Sequence, residues 1–332
     1  MLINSNQGDI MKKIVVTGGA GFIGSGVVRH LNNLGYFDII IVDDLEKGRK
    51  WRNLVGKSFE TIVSIHSFFD WLKGRESEID AYIHLGACSS TTETDADFLL
   101  ENNYHYSVRL AKVALGHGSR FIYASSAATY GDGTRGFSDD HDQLEELAPL
   151  NMYGYSKHLF DLWMKREGAL TEAVGLKYFN VYGPNEWHKG EMASAALKMY
   201  PNIADGKAVS LFQSNDQQYA DGEQCRDFIY VKDAVRMTCE FLHNTAGGIY
   251  NIGTGNPTTW NQLIEALFEA VSRPTQIDYI PMPKHLSKQY QNFTCANMNK
   301  TKEALASKAE CQSLKQSIED YVVNHLRGDI TW

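Results

Sequence analysis

Apolar residues along this chain fall into two alternating rhythms. Ile14-Val15-Val16 is a short unbroken run that closes on Thr17 and a cluster of glycines. From Phe22 to Leu34 apolar residues recur at helical spacing, and Ile39 to Val42 is a second unbroken run. Strand, glycine turn, helix and strand within about thirty residues make a βαβ unit. The alternation continues with strand candidates over Ala81 to His84, Phe121 to Ala124 and Leu176 to Phe179. Helices are expected between them, over Phe98 to Gly116 and Tyr153 to Gly168. Such a pattern predicts an α/β fold whose doubly wound parallel sheet is covered by helices on both faces.

After Pro184 the rhythm breaks into longer loops and tryptophans. A helix over Val231 to His243 and a strand over Ile249 to Ile252 return to the sheet, and the later segments form a smaller C-terminal α/β lobe facing it. The expected division gives residues 11–180, with about 229–257, to a dinucleotide-binding domain of Rossmann type. About 181–228 and 258–332 go mainly to the substrate-binding lobe. Residues 1–10 are polar and lack the apolar core of a signal peptide. They read as a disordered extension, with Met11 as the start of structure.

Composition narrows the partners. The 332 residues are 43% hydrophobic and 22% charged, enough to bury a large core without metal or disulfide staples. A net charge of -8 argues against nucleic acid or an anionic membrane as partner, and no apolar run approaches a membrane span. The five cysteines are scattered without metal-ligand spacing, which suits reduced thiols in the cytoplasm and no metal site.

Glycines stand at 18, 21 and 24, between the first strand and the first helix. In that context Gly18 makes the tight turn, Gly21 lets backbone N–H groups approach a pyrophosphate, and Gly24 allows close helix–sheet packing. Asp43 lies 19 residues after Gly24, at the end of the second strand, where a carboxylate meets the adenosine ribose hydroxyls. That favours NAD, but Lys47, Arg49 and Lys50 follow at once and could hold a 2′-phosphate. On the residues alone NAD and NADP both stay open.

Tyr153 and Lys157 are one helical turn apart on one face. An ammonium beside a phenol favours the phenolate, so Lys157 is expected to lower the proton affinity of Tyr153. Ser126 stands 27 residues before Tyr153, just beyond a strand, and its hydroxyl can hold a substrate oxygen while Tyr153 moves a proton. In this order, after a glycine fingerprint, the three residues indicate redox chemistry on a hydroxyl.

The glycine motif, Ser125-Ser126-Ala127-Ala128-Thr129-Tyr130-Gly131 and Tyr153-Gly154-Tyr155-Ser156-Lys157 resemble the extended short-chain dehydrogenase/reductase superfamily and its NAD-dependent epimerase/dehydratase branch. From Lys13 onward the chain is most similar to the ADP-L-glycero-D-manno-heptose 6-epimerase family. That similarity rests on Cys88-Ser89-Ser90-Thr91-Thr92-Glu93, Asn102-Asn103-Tyr104, Tyr178 to Pro184, His188-Lys189-Gly190, Arg226-Asp227-Phe228 and Tyr290 to Thr294. The resemblance implies an isomerase of lipopolysaccharide-core heptose metabolism. It would invert C6 of a nucleotide-linked heptose by oxidation to a ketone and re-reduction with bound NADP. It also implies a homo-oligomer, in the family a pentamer.

By resemblance Tyr153 and Lys189 are the two acid/base residues, Lys157 binds the nicotinamide ribose and Ser126 polarises the oxygen. Cofactor contacts carried over are Phe22, Ile23, Asp43, Asp44, Lys50, Leu85, Gly86, Ala87, Cys88, Ser89, Asn102 and Val181, beside Gly18, Gly21 and Gly24. Substrate contacts carried over are Asn180, Glu191, Lys198, Phe212, Gln213, Ser214, Asn215, Arg226 and Tyr290. Arg226 has the planar fork that suits a diphosphate, unless Asp227 pairs with it. Glu191 and Lys198 replace a small hydroxyl residue and a histidine of the family pattern, Asp44 replaces an amide, and Ser214 to Gln224 is longer. These departures bear on the nucleotide and leave the catalytic residues untouched. The alternatives are another nucleotide-sugar epimerase, such as a UDP-hexose 4-epimerase, a reductase, or a non-catalytic dinucleotide sensor. Ala127-Ala128 disfavours a 4,6-dehydratase, which needs an Asp-Glu pair there.

Overall fold

The computed structural model describes residues 13–283 and 290–332. The expected extension over residues 1–10, and the start at Met11, lie outside them. Six strands come first: β1 (Ile14–Thr17), β2 (Ile39–Val42), β3 (Thr61–Val63), β4 (Ala81–His84), β5 (Arg120–Ser126) and β6 (Val174–Tyr178). Then follow β7 (Asn180–Tyr182), β8 (Val209–Phe212), β9 (Cys225–Arg226), β10 (Phe228–Tyr230), β11 (Gly248–Ile252), β12 (Thr258–Thr259) and β13 (Ile277–Ile280). Seven of them build one parallel sheet in the order β11-β6-β5-β4-β1-β2-β3. The order reverses between β1 and β4. Crossovers there lead away in opposite directions, leaving a crevice at the carboxyl ends of the strands.

Eight helices bear on the sheet and site: α1 (Phe22–Asn33), α2 (Phe68–Leu72), α3 (Ala96–Leu99), α4 (Tyr106–Gly116), α5 (Met152–Arg166), α6 (Ala195–Ala204), α7 (Val231–Glu240) and α8 (Trp260–Ala270). Alternate residues of each strand enter different cores. Ile14 and Val16 join Val28 and Leu31 of α1 and Val235 of α7, whereas Val15 joins Leu110 of α4 and Phe160 of α5. An unbroken apolar run is thus the signature of a strand with no wet face. Beyond the sheet, β8 pairs in parallel with β13, β9 pairs antiparallel with β12, and α8 packs between α6 and the Leu314–Tyr321 helix.

Two local features depart from the periodic reading. The helix expected over Phe98 to Gly116 starts at Ala96 and carries a π-helical turn over Leu100–His105 before α4. The three-residue strand β3 was not expected, being too short to show a period. No helix among the described residues is long and apolar enough to cross a membrane.

Candidate active site

The glycine loop packs backbone on backbone. Gly18 has φ +68°, and a Cβ there would lie 2.7 Å from the Gly86 nitrogen; one on Gly24 would lie 2.1 Å from the Gly18 oxygen. No side chain caps α1, whose N-cap is Gly21. Its first N–H groups are therefore available to an anion, at the positive end of the helix dipole. This cradle fits a dinucleotide pyrophosphate.

Asp43, 7% exposed, accepts the Ala20 and Asp44 N–H groups, both at 2.9 Å. Lys50 Nζ lies 2.6 Å from Oδ1, the oxygen that accepts the Asp44 N–H, and also donates to the Asp44 carbonyl at 2.9 Å. Arg49 is engaged elsewhere, bonded to Asp329 and lying over the Trp187 ring at 5.7 Å. Of the three basic residues expected to serve a 2′-phosphate, only Lys50 is seated at Asp43.

The loop after β4 is fixed by a directed chain of hydrogen bonds. Ser107 donates its proton to the Asn103 carbonyl at 2.6 Å, so it can only accept from His84 Nε2, 2.8 Å away. His84 Nδ1 then accepts from the Thr17 hydroxyl at 2.6 Å, and Thr17 Oγ1 accepts the Gly86 N–H at 3.0 Å. Burial pushes His84 down to about 3, so the ring is neutral, as this chain requires. The fully buried Asn103 grips Cys88 through both its N–H (2.9 Å) and its carbonyl (3.0 Å), and donates to Ser156 Oγ at 3.0 Å. Asn102, the expected cofactor residue, is half-buried and donates to Asn103 Oδ1 at 3.0 Å. Thr17 thus holds the start of the Leu85 to Ser89 segment and Asn103 holds it at Cys88.

Ser126 ends β5, and its Oγ accepts the Ala128 N–H at 3.1 Å. The absent Cβ of Gly154, which would stand 2.8 Å from the Ala128 carbonyl, lets the start of α5 press on this turn. Tyr153 is thereby hydrogen-bonded to Ser126 and faces Cys88. Lys157, 4% exposed, donates to the Ala124 carbonyl at 2.9 Å. Burial pushes Lys157 down to about 8, opposed by the Asp161 carboxylate one turn further on. The expectation that Lys157 lowers Tyr153 is not met here. Burial raises the phenol, the Ser126 hydrogen bond opposes that rise, and Lys157 is anchored on a carbonyl instead.

Lys189 comes from the turn over Trp187–Met192, and its ammonium lies 5.3 Å from the Phe22 ring centroid at the head of α1. The ammonium has no hydrogen bond or ion pair among the described residues, while the Lys189 backbone N–H donates to the Glu186 carbonyl at 3.0 Å. Burial lowers its proton affinity, and the nearby Glu186 carboxylate raises it. Glu186, 1% exposed and missed by the sequence reading, accepts from the Gly183 N–H (3.1 Å), Ser194 N–H (2.5 Å), Ser194 Oγ (2.7 Å) and Tyr321 hydroxyl (3.0 Å). Asn185, with φ +78°, ties the same loop to Ser25 of α1 at 3.0 Å and to Trp332.

Arg226, 7% exposed, lies against Tyr290 at 4.9 Å and Trp260 at 5.9 Å. No carboxylate pairs with it among the described residues. Asp227 instead accepts from Thr254 (2.7 and 2.8 Å), Gly255 (2.9 Å) and Ala296 (2.9 Å). A buried cation between two aromatic rings is suited to an anionic ligand. Asn180 and Val181 lie on β7, paired in parallel with β10. Phe212 ends β8 and Gln213 to Asn215 follow it, with the Ser214 N–H donating to Asp221 at 2.7 Å. Glu191 and Lys198 are exposed and joined to each other, Lys198 Nζ donating to the Glu191 carbonyl at 3.2 Å.

Residues 14–253 match the NAD dependent epimerase/dehydratase family. The ADP-L-glycero-D-manno-heptose-6-epimerase of Nitratidesulfovibrio vulgaris is 49% identical over 315 residues, 94% of this chain and 97% of that protein. The crystal structure of the Helicobacter pylori ADP-L-glycero-D-manno-heptose-6-epimerase superposes with a TM-score of 0.80 at 28% identity, covering 95% of this chain and 96% of that one. The UDP-glucose 4-epimerase of Thermotoga maritima, with UDP-glucose, gives 0.78 at 28% identity, covering 96% and 99%.

Proposed function

The chain belongs to the NAD dependent epimerase/dehydratase family, and on that premise we propose that it inverts C6 of an ADP-linked heptose, converting ADP-D-glycero-D-manno-heptose to the L-glycero form. Overall shape does not separate this reading from 4-epimerisation of a UDP-hexose, since both solved relatives superpose almost equally well. The 49% identity to a heptose epimerase over nearly the whole chain favours C6.

The observation that carries the mechanism is the pair of proton-handling groups on separate elements of the crevice. Tyr153 stands with Ser126 beyond β5, and Lys189 stands over Phe22 beyond β1. Two epimers present the same carbon in opposite senses, so each needs its own group for the hydroxyl proton. Tyr153, held protonated by burial and steadied by Ser126, serves one. Lys189, its ammonium partly desolvated and without a hydrogen-bond partner among the described residues, serves the other. Lys157 holds the ribose side of the cofactor site, and Arg226 takes the diphosphate. The bound dinucleotide supplies the reversible hydride acceptor that inversion through a ketone requires.

For the cofactor we favour NADP over NAD. Lys50 offsets the charge of Asp43 at 2.6 Å, and Lys47 has no partner among the described residues. Lys50→Ala is expected to weaken NADP retention more than NAD retention in a fluorescence titration. The functional test is incubation with ADP-heptose and UDP-glucose, followed by NMR. Inversion at C6 of the heptose is expected. Inversion at C4 of UDP-glucose with the heptose unchanged would establish the other reading.

A further inference from the structure

Beneath the proposed catalytic residues lies an ion pair with no exposed surface at all. Lys177 in β6 and Asp161 in α5 are each 0% exposed, with Nζ and Oδ2 at 2.9 Å. Taking two charges out of water is costly, and an apolar pair of similar volume is often as stable. Stability alone does not explain this arrangement, so its connections matter.

Those connections reach each segment that carries a member of the Ser126, Tyr153 and Lys157 set. Lys177 also donates to Thr129 Oγ1 at 2.5 Å and has its third N–H side over the Tyr130 ring at 4.8 Å. Thr129 passes its own proton to the Ser126 carbonyl at 2.8 Å. Asp161 accepts from Ser125 Oγ at 2.7 Å and from the Tyr123 hydroxyl at 3.1 Å, both on β5. The Tyr123 hydroxyl fits only because its partner in β6 is Gly175, where a Cβ would stand 2.4 Å away. Asp161 is one turn beyond Lys157 on the same helix. The pair is a node where β5, the Ala127–Tyr130 turn, α5 and β6 meet.

We propose that Asp161 and Lys177 are the positioning residues of the site: they lock the end of β5 and the start of α5 into one geometry, so that Ser126, Tyr153 and Lys157 present their polar atoms together. Neither residue touches the substrate. Both act through the backbone of Ser126 and the axis of α5. This inference rests on the reading of those three residues as catalytic.

Three variants test it, each assayed for kcat, KM, melting temperature and pH–rate profile. Thr129→Val keeps both charges but cuts the link to Ser126, and is expected to lower kcat about tenfold with KM within about twofold, since small misplacements act on turnover. Asp161→Leu/Lys177→Met removes the node, and a loss of about a hundredfold in kcat is expected. Its alkaline limb should also move to lower pH. Lys157 faces Asp161 from its own helix and Cys88 and His84 from the β4 side, and Asp161 is the neighbour that most raises its proton affinity. If the double variant does not fold, Thr129→Val decides alone. A folded Thr129→Val with wild-type kcat overturns the inference, as does a folded double variant with wild-type kcat and an unmoved limb. Tyr153→Phe is the control: if it remains fully active, the catalytic reading itself fails, whereas an inactive Tyr153→Phe beside wild-type positioning variants fails only the inference.

Discussion

Two buried polar regions of this molecule are built on opposite terms. Around Asp161 and Lys177 every charge and hydroxyl finds a partner inside the protein. Around the β9–β12 ribbon, polar atoms are buried with none among the described residues: both side-chain atoms of Gln224, Trp260 Nε1 and Asn292 Oδ1 lack a hydrogen-bond partner there. These residues are neighbours of Arg226. The backbone N–H of Trp260 bonds the backbone carbonyl of Gln224 at 3.3 Å, that of Cys225 bonds the backbone carbonyl of Asn292 at 2.9 Å, and Arg226 lies over Trp260. A satisfied network holds one geometry, whereas unpartnered groups each cost about 1–3 kcal/mol until something meets them. The contrast teaches that the side of the crevice bearing Ser126, Tyr153 and Lys157 is preorganised and the surroundings of Arg226 are not.

Breaking the preorganised end has the largest effect. Tyr153→Phe removes a proton donor without changing packing, and kcat for epimerisation should fall about a thousandfold, as for loss of a general acid–base group. At the other end, Arg226→Ala should leave kcat nearly intact. It should raise KM about ten- to a hundredfold, the worth of charge-assisted hydrogen bonds at about 1.5–3 kcal/mol; initial-rate kinetics separates the two patterns.

A third test uses pH. Lys157 releases its proton near 8 in the folded enzyme, against 10.5 ordinarily. Between those values the unfolded chain binds the proton and the folded one does not, so this group's contribution to stability rises with pH. Wild-type melting temperature should therefore gain on that of Lys157→Met as pH climbs from about 8 toward 10.5, measured without added dinucleotide; a constant difference would refute the burial argument. The smallest effect is expected at Gln224. Gln224→Met removes two unpartnered atoms at nearly constant shape and should stabilise the protein by about 1 kcal/mol in chemical denaturation. A loss of stability there would dissolve the contrast between the two regions.

Much of the crevice is written locally, and that part was legible. Apolar runs marked β1, β2 and β4, and spacing read in that strand–helix context pointed to Gly18, Gly21 and Gly24, then to Ser126, Tyr153 and Lys157. What was not legible depends on three-dimensional burial. Lys177 reads as the polar interruption of a strand, yet it is 0% exposed. Glu186 reads as a loop acid, yet it is nearly inaccessible. Their signal is tertiary, because a charge enters a core only where partners from distant segments converge. Asn103 is a further case: it grips Cys88 from a π-helical turn, where a 3.6-residue period no longer tells which side chains share a face.

The π turn over Leu100–His105 gives this last point a wider bearing. A π turn holds one residue more than the α form, and such turns often mark functional sites. Deleting a single residue there would restore regular winding, but it would also rotate everything before it by about 100° relative to α4. With the deletion placed after Asn103, its side chain would then no longer clasp Cys88. The length of this short segment, counted to one residue, is therefore a design parameter of the enzyme. Grafting or shuffling its helices must preserve that surplus residue as carefully as any catalytic side chain.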